Sequence, residues 1–313
     1  MCGTIKAFCP GCEAGQDCRA PRTLERKEKS MAICEVCFRH CDLGEGQTGF
    51  CGARICAGGQ VRAAGYGRIT SLALDPIEKK PLRRFMPGSM ILSAGSYGCN
   101  LRCPFCQNYE ISWSDEAMKH ADRAEQVTPE QIAQTAYYYR KKGNVGVAFT
   151  YNEPLVGYEF VRDTARLVHE MGMVNVLVSN GTASIPVLEE ILPYMDAMNI
   201  DLKGFTDRYY RDVLGGDRDM VMRFISRAVK SCHVELTTLI IPGENDTEEE
   251  MRTMCEWIAS LEGILPGREI PLHISRFFPR FHMTDRGPTP VKKIYRLAEV
   301  AAEQLKYVYT GNC

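Results

Sequence analysis

Three cysteines stand close together in one short loop, with three and then two residues between them: Cys99, Cys103 and Cys106. Thiolates at this spacing can converge on one metal centre. A 4Fe–4S cube held by three cysteines keeps one of its four irons free for another ligand. Zinc is the alternative, but structural zinc takes four ligands and usually pairs two cysteine knuckles. No fourth cysteine lies near the loop, so the spacing favours an iron–sulfur cluster with one open iron.

A second group of cysteines lies nearer the start of the chain. Cys34, Cys37, Cys41 and Cys51 can donate four thiolates, and Cys56 is a spare candidate ligand. Their spacing suits zinc or a second iron–sulfur cluster, because the number of thiolates alone does not choose between them. Inert free thiols are the third alternative. Nine of the 15 cysteines lie within residues 1–56, and no signal-peptide pattern precedes them, which favours metal binding over disulfides.

Polar residues follow directly after several apolar runs of the chain. They are Tyr151, Asn152 and Glu153, then Ser179 and Asn180, then Asn199, Asp201 and Lys203, and finally His273 and Arg276. A charge at the end of an apolar strand needs a partner or water, so these residues are candidates for ligand contact. Each has a structural alternative: a plain strand–helix turn for Glu153, an ion pair for Asp201 with Lys203, and a packed side chain for His273.

Seven apolar runs predict the strands that would position these residues. The runs are Met90–Ala94, Val145–Thr150, Val174–Ser179, Ala197–Leu202, Val234–Ile241, Ile270–Ser275 and Tyr307–Thr310. Amphipathic segments with helix-start signals, such as Thr128-Pro129 and Thr247, lie between them. Six strand–helix units and a seventh strand predict an α/β fold with a parallel sheet, here a partial (β/α)6 barrel. Ligands of such folds bind beyond the carboxyl ends of the strands.

The chain is predicted to have three parts. Residues 1–30 are expected to form an irregular leader, residues 31–88 a small Cys-rich N-terminal module, and residues 89–313 the partial barrel. Within the module, Gly58–Leu72 is expected to form short β structure. Asp75–Arg84 is not expected to pack as an element, and its basic part, Lys79–Arg84, is interpreted as solvated charge or as a dock for an acidic partner.

The loop resembles the signature of the radical S-adenosylmethionine (SAM) superfamily, in which an aromatic residue precedes the third cysteine. Phe105 occupies that position. The chain further resembles the radical SAM enzyme of the AmmeMemoRadiSam system, a relative of pyruvate formate-lyase activating enzymes. The resemblance covers residues 31–312 and rests on Cys34–Cys51, Asp75–Leu82, Gly98–Asn108, Phe149–Pro154, Asn199–Lys203 and Tyr307–Asn312.

The resemblance implies a 4Fe–4S cluster and SAM as cofactors. The amine and carboxylate of SAM would chelate the open iron, and one electron would cleave the sulfonium to release a 5′-deoxyadenosyl radical that abstracts hydrogen from a substrate. It places Phe105 against the adenine and gives Glu153 the methionyl amine, although Tyr151 and Asn152 stand where glycines are common. The residues matching Ser179, Asn199 and Asp201 hold a monovalent cation in the activating enzymes, but a further acidic ligand of that cation falls at Val178 here.

Asn180 and Lys203 join the expected SAM contacts. His273 and Arg276, at the end of the sixth run, are expected at the same rim, as candidates for substrate contact in particular. If the last run joins the sheet in parallel, Gly311-Asn312-Cys313 also emerges at this rim. A frayed terminus is the alternative for these residues.

Three functions compete at this point. The AmmeMemoRadiSam resemblance implies a radical SAM enzyme with an unidentified substrate. Kinship with activating enzymes implies instead a protein substrate, such as a glycine made into a radical, with an electron donor such as flavodoxin or ferredoxin. An activase often carries a ferredoxin-like insert after its cluster loop, and no cysteine lies between Cys106 and Val145, which disfavours that function. A non-catalytic iron–sulfur scaffold or redox sensor is the third hypothesis.

Composition narrows the setting of these functions. The formal net charge of −1 provides no global basic field for nucleic acid. No apolar run of about 18 residues predicts a membrane span. The cysteine usage without an export signal predicts a reducing, anaerobic cytoplasm.

Overall fold

An eight-stranded sheet is the central element of the computed structural model, which describes residues 31–313. The predicted leader, with its four cysteines, lies outside the described residues. The strands along the chain are β1 Ala32–Ile33, β2 Asp42–Leu43, β3 Arg54–Ala57, β4 Gln60–Ala63, β5 Arg68–Ile69, β6 Ser71–Pro76, β7 Met90–Gly95, β8 Glu125–Gln126, β9 Asn144–Phe149, β10 Val174–Ser179, β11 Ala197–Asp201, β12 His233–Ile240, β13 Leu272–Arg276 and β14 Val308–Gly311.

Helices connect the strands of this sheet. They are α1 Tyr109–Ser112, α2 Asp115–Arg123, α3 Pro129–Tyr138, α4 Tyr158–Glu170, α5 Ile185–Ile191, α6 Arg218–Ala228, α7 Glu248–Ala259 and α8 Val291–Ala302. The predicted start signals are used: Thr128 and Gln131 cap α3 reciprocally, and the Thr247 hydroxyl accepts the backbone N–H of Glu250 at the start of α7. No helix in the described part of the chain is both long and apolar enough to cross a membrane.

The order of the sheet confirms the predicted α/β fold. The strands lie side by side as β14-β13-β12-β11-β10-β9-β7-β6, and all but β6 run parallel. The seven parallel strands are the seven predicted runs, with ends that shift by one or two residues. Six helical crossovers join them, so their carboxyl ends share one rim. Because β14 is parallel to β13, the chain also emerges at that rim, as predicted.

The eighth strand of the central sheet is β6, which lies within residues 31–88, the predicted N-terminal module. β6 pairs antiparallel with β7 over Ser71–Pro76, which extends the sheet by one edge strand. A 3-10 turn over Ile77–Lys79 follows. The module and the barrel therefore share one sheet at this edge.

The segment 77–84, called here the inner segment, packs against the parallel strands of the sheet. This differs from the prediction that Asp75–Arg84 would not pack. Ile77 and Leu82 are fully buried in one cluster with Ile91, Ala148, Val176 and Ala197, four residues of the parallel strands. Lys80 is also buried, because its ammonium lies 2.9 Å from the Asp75 carboxylate. The interpretation as solvated charge is therefore wrong for Lys80 and holds for the exposed Lys79, Arg83 and Arg84.

The rest of the N-terminal region forms short antiparallel pairs. β1 pairs with β2 and β3 with β4, while β5 pairs with the distant β8. The expected short β structure of Gly58–Leu72 is thus present. The buried guanidinium of Arg54 in β3 donates to both carboxylate oxygens of Glu159 in α4 at 2.7 Å, which joins this region to the helical layer of the barrel.

Candidate active site

The carboxyl ends of the parallel strands surround one cavity of about 510 Å³. Its lining includes twelve of the residues predicted from the sequence: Cys99, Cys103, Phe105, Cys106, Tyr151, Asn152, Glu153, Ser179, Asn180, Asp201, Lys203 and His273. These residues follow different strands and are far apart in the chain. The parallel sheet brings them together because each strand ends at the same rim.

The three cysteines of the predicted cluster loop lie on one side of this cavity. The loop leaves β7 through Gly98, whose φ of +92° favours glycine and whose added Cβ would lie 2.7 Å from Ala53 Cβ. The Cys99 sulfur accepts two weak hydrogen bonds, from Leu101 N at 3.5 Å and Asn180 Nδ2 at 3.7 Å. Burial raises the pKa of Cys103 to about 12, so the bare thiol stays protonated.

This set of donors fits an iron–sulfur cluster. Cysteine thiolate is the ligand that such clusters take, and a bound cation reverses the effect of burial by deprotonating the thiol. Structural zinc takes four ligands, whereas three cysteines line this cavity. Three thiols in one cavity with room beside them suit a cube with an open iron.

Glu153 lies beside the cluster loop, with its backbone N–H donating to Gly98 O at 3.2 Å, and it is almost fully buried. Its Oε1 accepts Ser179 Oγ at 2.9 Å and Leu155 N at 3.2 Å, and its Oε2 accepts Asn180 N at 2.8 Å. Burial raises the pKa of Glu153 to about 7 despite these donors. A carboxylate has about four acceptor positions, so one position on Oε2 remains for a ligand donor.

Tyr151 and Asn152 hold the turn in front of Glu153. Tyr151 has φ +77°, which is unusual for a residue other than glycine, and its hydroxyl donates to Asp75 at 2.7 Å. Asn152 donates to the carbonyls of Tyr97 and Gly98 at 3.0 and 3.1 Å. Both residues line the cavity, but their polar atoms support the cluster loop and β6, which gives a structural reason for the departure from glycine.

Asp201 and Lys203 form the ion pair that was the structural alternative, with 2.8 Å between Oδ2 and Nζ. Both still line the cavity and remain partly exposed to it. Asn180 is held by its side-chain bond to Asn100 Oδ1 at 3.0 Å. The ion pair and a ligand contact are therefore compatible at this wall.

Two of the predicted residues do not line the cavity. Asn199 is buried, donates to Pro81 O at 2.9 Å and accepts from Thr237 Oγ1, so its side chain is bonded to the inner segment and to β12. Arg276 donates through Nε to Thr289 O at 2.7 Å and leaves the rim. Strand position predicted both, and the resemblance to activating enzymes also implied Asn199, but a strand alternates its faces and either side chain can turn to a nearer backbone carbonyl.

Glu235 is a buried hub that the sequence analysis missed. This fully buried carboxylate of β12 accepts the backbone N–H groups of Arg83 and Arg84 at 3.0 and 2.7 Å and contacts His233 at 3.0 Å and His273 at 2.6 Å. Burial opposes its charge, but these hydrogen bonds outweigh burial and lower its pKa to about 2. His273 also stacks on Tyr309 of β14, with 5.3 Å between ring centroids.

The inner segment provides a further wall that was missed. Glu78, Lys79, Pro81 and Arg83 line the cavity, and the backbone of Arg83 is bonded to Glu235 of β12. A signal was present, since Asp75–Leu82 was one of the stretches that carried the resemblance. The segment was not predicted to line the cavity because its basic residues were interpreted as solvated charge.

The comparisons with known proteins agree with this geometry. The model of the Radical SAM superfamily matches residues 94–258, which include the cluster loop, Glu153 and Asp201. An uncharacterized protein of Methanocaldococcus jannaschii is 39% identical over 291 residues, or 92% of this chain and 83% of that protein. The chain belongs to the radical SAM superfamily. Members of this superfamily use a 4Fe–4S cluster and SAM, so the chain is a radical SAM enzyme.

Curated relatives include activating enzymes. Pyruvate formate-lyase 1-activating enzyme of Escherichia coli is 26% identical over 182 residues, or 56% of this chain and 71% of that protein. This similarity confirms the predicted kinship with pyruvate formate-lyase activating enzymes. The AmmeMemoRadiSam subtype stays a prediction.

Solved structures of radical SAM proteins share the fold. A radical SAM methyltransferase from Sphaerobacter thermophilus has a TM-score of 0.53 and 17% identity and covers 72% of this chain and 67% of its own. Streptococcus suis SuiB bound to S-adenosylmethionine has a TM-score of 0.54 and 10% identity and covers 71% of this chain and 52% of its own. The predicted partial barrel is therefore the fold of known radical SAM structures.

The N-terminal cysteines of this radical SAM protein lie close behind the cluster loop. Cys34, Cys37, Cys41 and Cys51 line one small cavity together with Arg39 and Asn100. All described cysteines are free of disulfides, and Cys56 is fully buried but does not line this cavity. The Cys51 carbonyl accepts the backbone N–H of Cys99 at 3.3 Å, so the two cysteine sets are in direct contact.

Proposed function

We propose that this chain binds SAM in the rim cavity, with a 4Fe–4S cluster at Cys99, Cys103 and Cys106, and abstracts hydrogen from a substrate bound in the same cavity. The observation that carries the proposal is the lining of that cavity, which unites the three thiols with Glu153. The bound cluster supplies the electron that cleaves the sulfonium of SAM and releases the 5′-deoxyadenosyl radical.

Glu153 is proposed to receive the methionyl amine of SAM. Its Oε2 has one acceptor position left, and a cation there would stabilise the buried carboxylate against the burial that raises its pKa. Ser179 and Asn180 orient that carboxylate through their own hydrogen bonds. Phe105, buried between the second and third cysteine, is proposed to contact the adenine.

The opposite wall is proposed to hold the substrate. His273 and Tyr309 stack there, and Glu235 orients the imidazole through its 2.6 Å contact. Lys79 and Arg83 of the inner segment add cationic groups to the lining of the same cavity. We propose that the reaction is an AmmeMemoRadiSam-type modification, in which the 5′-deoxyadenosyl radical abstracts hydrogen from an unidentified substrate. We further propose that the protein works in an anaerobic cytoplasm and that flavodoxin or ferredoxin is its electron donor.

The second candidate function is a glycyl-radical activase. The similarity to pyruvate formate-lyase 1-activating enzyme and to isethionate sulfite-lyase activating enzyme of Oleidesulfovibrio alaskensis supports a protein substrate. Against it, the stretch between Cys106 and β9 contains α1, α2, β8 and α3 and adds no cysteine. A non-catalytic sensor accounts for the cysteines but gives no role to the buried acceptor at Glu153.

The test is anaerobic reconstitution of the protein followed by addition of SAM and dithionite. We expect an oxygen-labile cluster whose absorption changes on adding SAM, and formation of 5′-deoxyadenosine. Cys103→Ala should lose both the cluster and 5′-deoxyadenosine formation because it removes one of three ligands. Cys255→Ala, at a buried cysteine of α7 outside the cavity, is the matched control and should retain both. Wild-type rates in Cys103→Ala would reject the site.

The activase alternative has its own measurement. The reconstituted protein is incubated with SAM, a reductant and a purified candidate glycyl-radical protein, and the mixture is examined by electron paramagnetic resonance. A glycyl radical on the added protein supports the activase. 5′-Deoxyadenosine without any protein radical supports the proposed reaction class instead.

A further inference from the structure

The four N-terminal cysteines form a site of their own. Cys34, Cys37 and Cys51 are buried and Cys41 is partly exposed, and all four line one cavity. A tight backbone turn brings the first three together, since Cys34 N donates to Cys41 O at 2.9 Å and His40 N donates to Cys37 O at 3.2 Å. Four thiols that face a common cavity without forming disulfides are a complete donor set for a metal centre.

The setting of these thiols favours a cluster over a zinc ion. Both a zinc ion and a 4Fe–4S cube can take four cysteine thiolates, so the number of donors does not choose between them. The four cysteines lie directly against the cluster loop, since the Cys51 carbonyl accepts the backbone N–H of Cys99 at 3.3 Å. A centre in this position can exchange electrons with the first cluster only if it is redox-active, which a 4Fe–4S cluster is and zinc is not.

We propose that Cys34, Cys37, Cys41 and Cys51 hold a second 4Fe–4S cluster. With four thiolates it has no open iron, so it cannot bind SAM as the first cluster does and is suited to carrying one electron. Arg39 also lines the cavity, and its positive charge offsets part of the negative charge of a tetrathiolate cluster. Arg39 is held there by Nε to Asn100 O at 2.9 Å.

The contact with the cluster loop assigns this second site a role as an electron relay, an assignment that rests on the proposed function. The Cys51 carbonyl accepts the Cys99 N–H, so one hydrogen bond joins a ligand of each site. Arg102 links the same two segments, since it donates to Cys99 O at 2.9 Å and its guanidinium lies 3.8 Å from the Phe50 ring centroid. A reduced flavin or iron–sulfur carrier would lose one electron to the second cluster, which then passes that electron to the first.

The first experiment measures metal in a Cys99→Ala/Cys103→Ala/Cys106→Ala variant after reconstitution with iron and sulfide. We expect about four irons and four sulfides per chain and a dithionite-reducible absorption, because the second site is intact. Zinc as the retained metal overturns the proposal, and so does a folded variant that retains no metal.

The second experiment keeps the first site and removes the second. Cys34→Ala/Cys37→Ala should lose about half of the iron, while Cys56→Ala, at a buried cysteine of the same region outside the cavity, should keep all of it. Circular dichroism and SAM binding establish that both variants fold. Equal iron content in the two variants contradicts the second site.

Two reductants separate this inference from the proposed function. With dithionite, a small reductant that can reach the first site directly, Cys34→Ala/Cys37→Ala should form 5′-deoxyadenosine as the wild type does. With reduced flavodoxin or ferredoxin, the variant should lose the rate that the wild type shows. An undiminished carrier-driven rate overturns the relay and leaves the proposed function intact. A wild type that holds both clusters but never cleaves SAM overturns the proposed function and leaves the second site intact.

Discussion

Glu153 shows how a single buried carboxylate can serve both the fold and a ligand. Three of its acceptor positions are used by Ser179, Asn180 and Leu155, and these bonds fix the orientation of the remaining one. Its raised pKa, about 7, indicates that a buried charge here lacks a counter-ion in the ligand-free protein. A cationic amine would supply that counter-ion.

Glu153→Gln should weaken SAM binding and leave the iron content unchanged. A charge-assisted hydrogen bond contributes about 1.5–3 kcal/mol, so we expect the dissociation constant for SAM to rise by about 10- to 100-fold. Equilibrium dialysis of the reconstituted protein with labelled SAM measures this constant. Glu170→Gln, at the last residue of α4 and outside the cavity, is the control. An unchanged dissociation constant in Glu153→Gln would assign the amine contact to another residue.

At the scale of elements, the carboxylate of Glu235 holds the inner segment against the parallel strands. Glu235 accepts two consecutive backbone N–H groups of the segment and also contacts two histidines. Its pKa of about 2 lies below the ordinary value of 4.5, so the charged form is favoured in the folded state. The stability that this carboxylate contributes is therefore complete above about pH 5 and decreases as the pH falls toward 2.

Glu235→Gln should lower the free energy of unfolding at pH 7 by about 3 kcal/mol, as the depressed pKa implies. The variant should also lose less further stability than the wild type when the pH is lowered to about 4, because it lacks the titrating group. Urea unfolding at both pH values measures the two effects. Glu256→Gln, at an exposed position of α7, should behave as the wild type. If Glu235→Gln and the wild type lose the same amount of stability between pH 7 and about pH 4, this role of Glu235 is refuted.

At the scale of the whole molecule, the N-terminal region is joined to the barrel by buried contacts. Arg54 of β3 is about 5% exposed and donates to both carboxylate oxygens of Glu159 in α4. Near the other end of the chain, Arg296 of α8 also makes two hydrogen bonds to one carboxylate, that of Glu248 in α7, at 2.9 and 2.8 Å, but both of these side chains are exposed. The two pairs share their chemistry and differ in burial.

Arg54→Met should destabilise the protein by about 3 kcal/mol, because it leaves a carboxylate without its partner in a largely buried place. Arg296→Met should leave the unfolding midpoint nearly unchanged, since solvent screens an exposed pair. Chemical unfolding of the two variants beside wild type measures the difference. Equal shifts of the midpoint in both variants would contradict the buried connection between β3 and α4.

The sequence by itself determined the features that depend on local pattern. Runs of apolar residues specify buried strands, and capping residues such as Thr128 and Thr247 mark helix starts within a few positions of the chain. The spacing of Cys99, Cys103 and Cys106 carries its chemistry within eight residues. The parallel strands then end at one rim, so most of the residues predicted from their position after a strand line the same cavity.

Only the tertiary structure decided which partner each polar side chain meets. Glu235 accepts hydrogen bonds from the backbone of Arg83 and Arg84, which precede it by 152 and 151 positions in the chain. Asn199 donates to Pro81, which precedes it by 118 positions. No local pattern encodes such pairs, because they form when folding brings remote segments together. The same holds for Lys80, which is charged and yet buried since Asp75 and the aromatic ring of Tyr151 lie within reach of its ammonium. Burial of a charge is decided by its partner, and the partner is supplied by the fold.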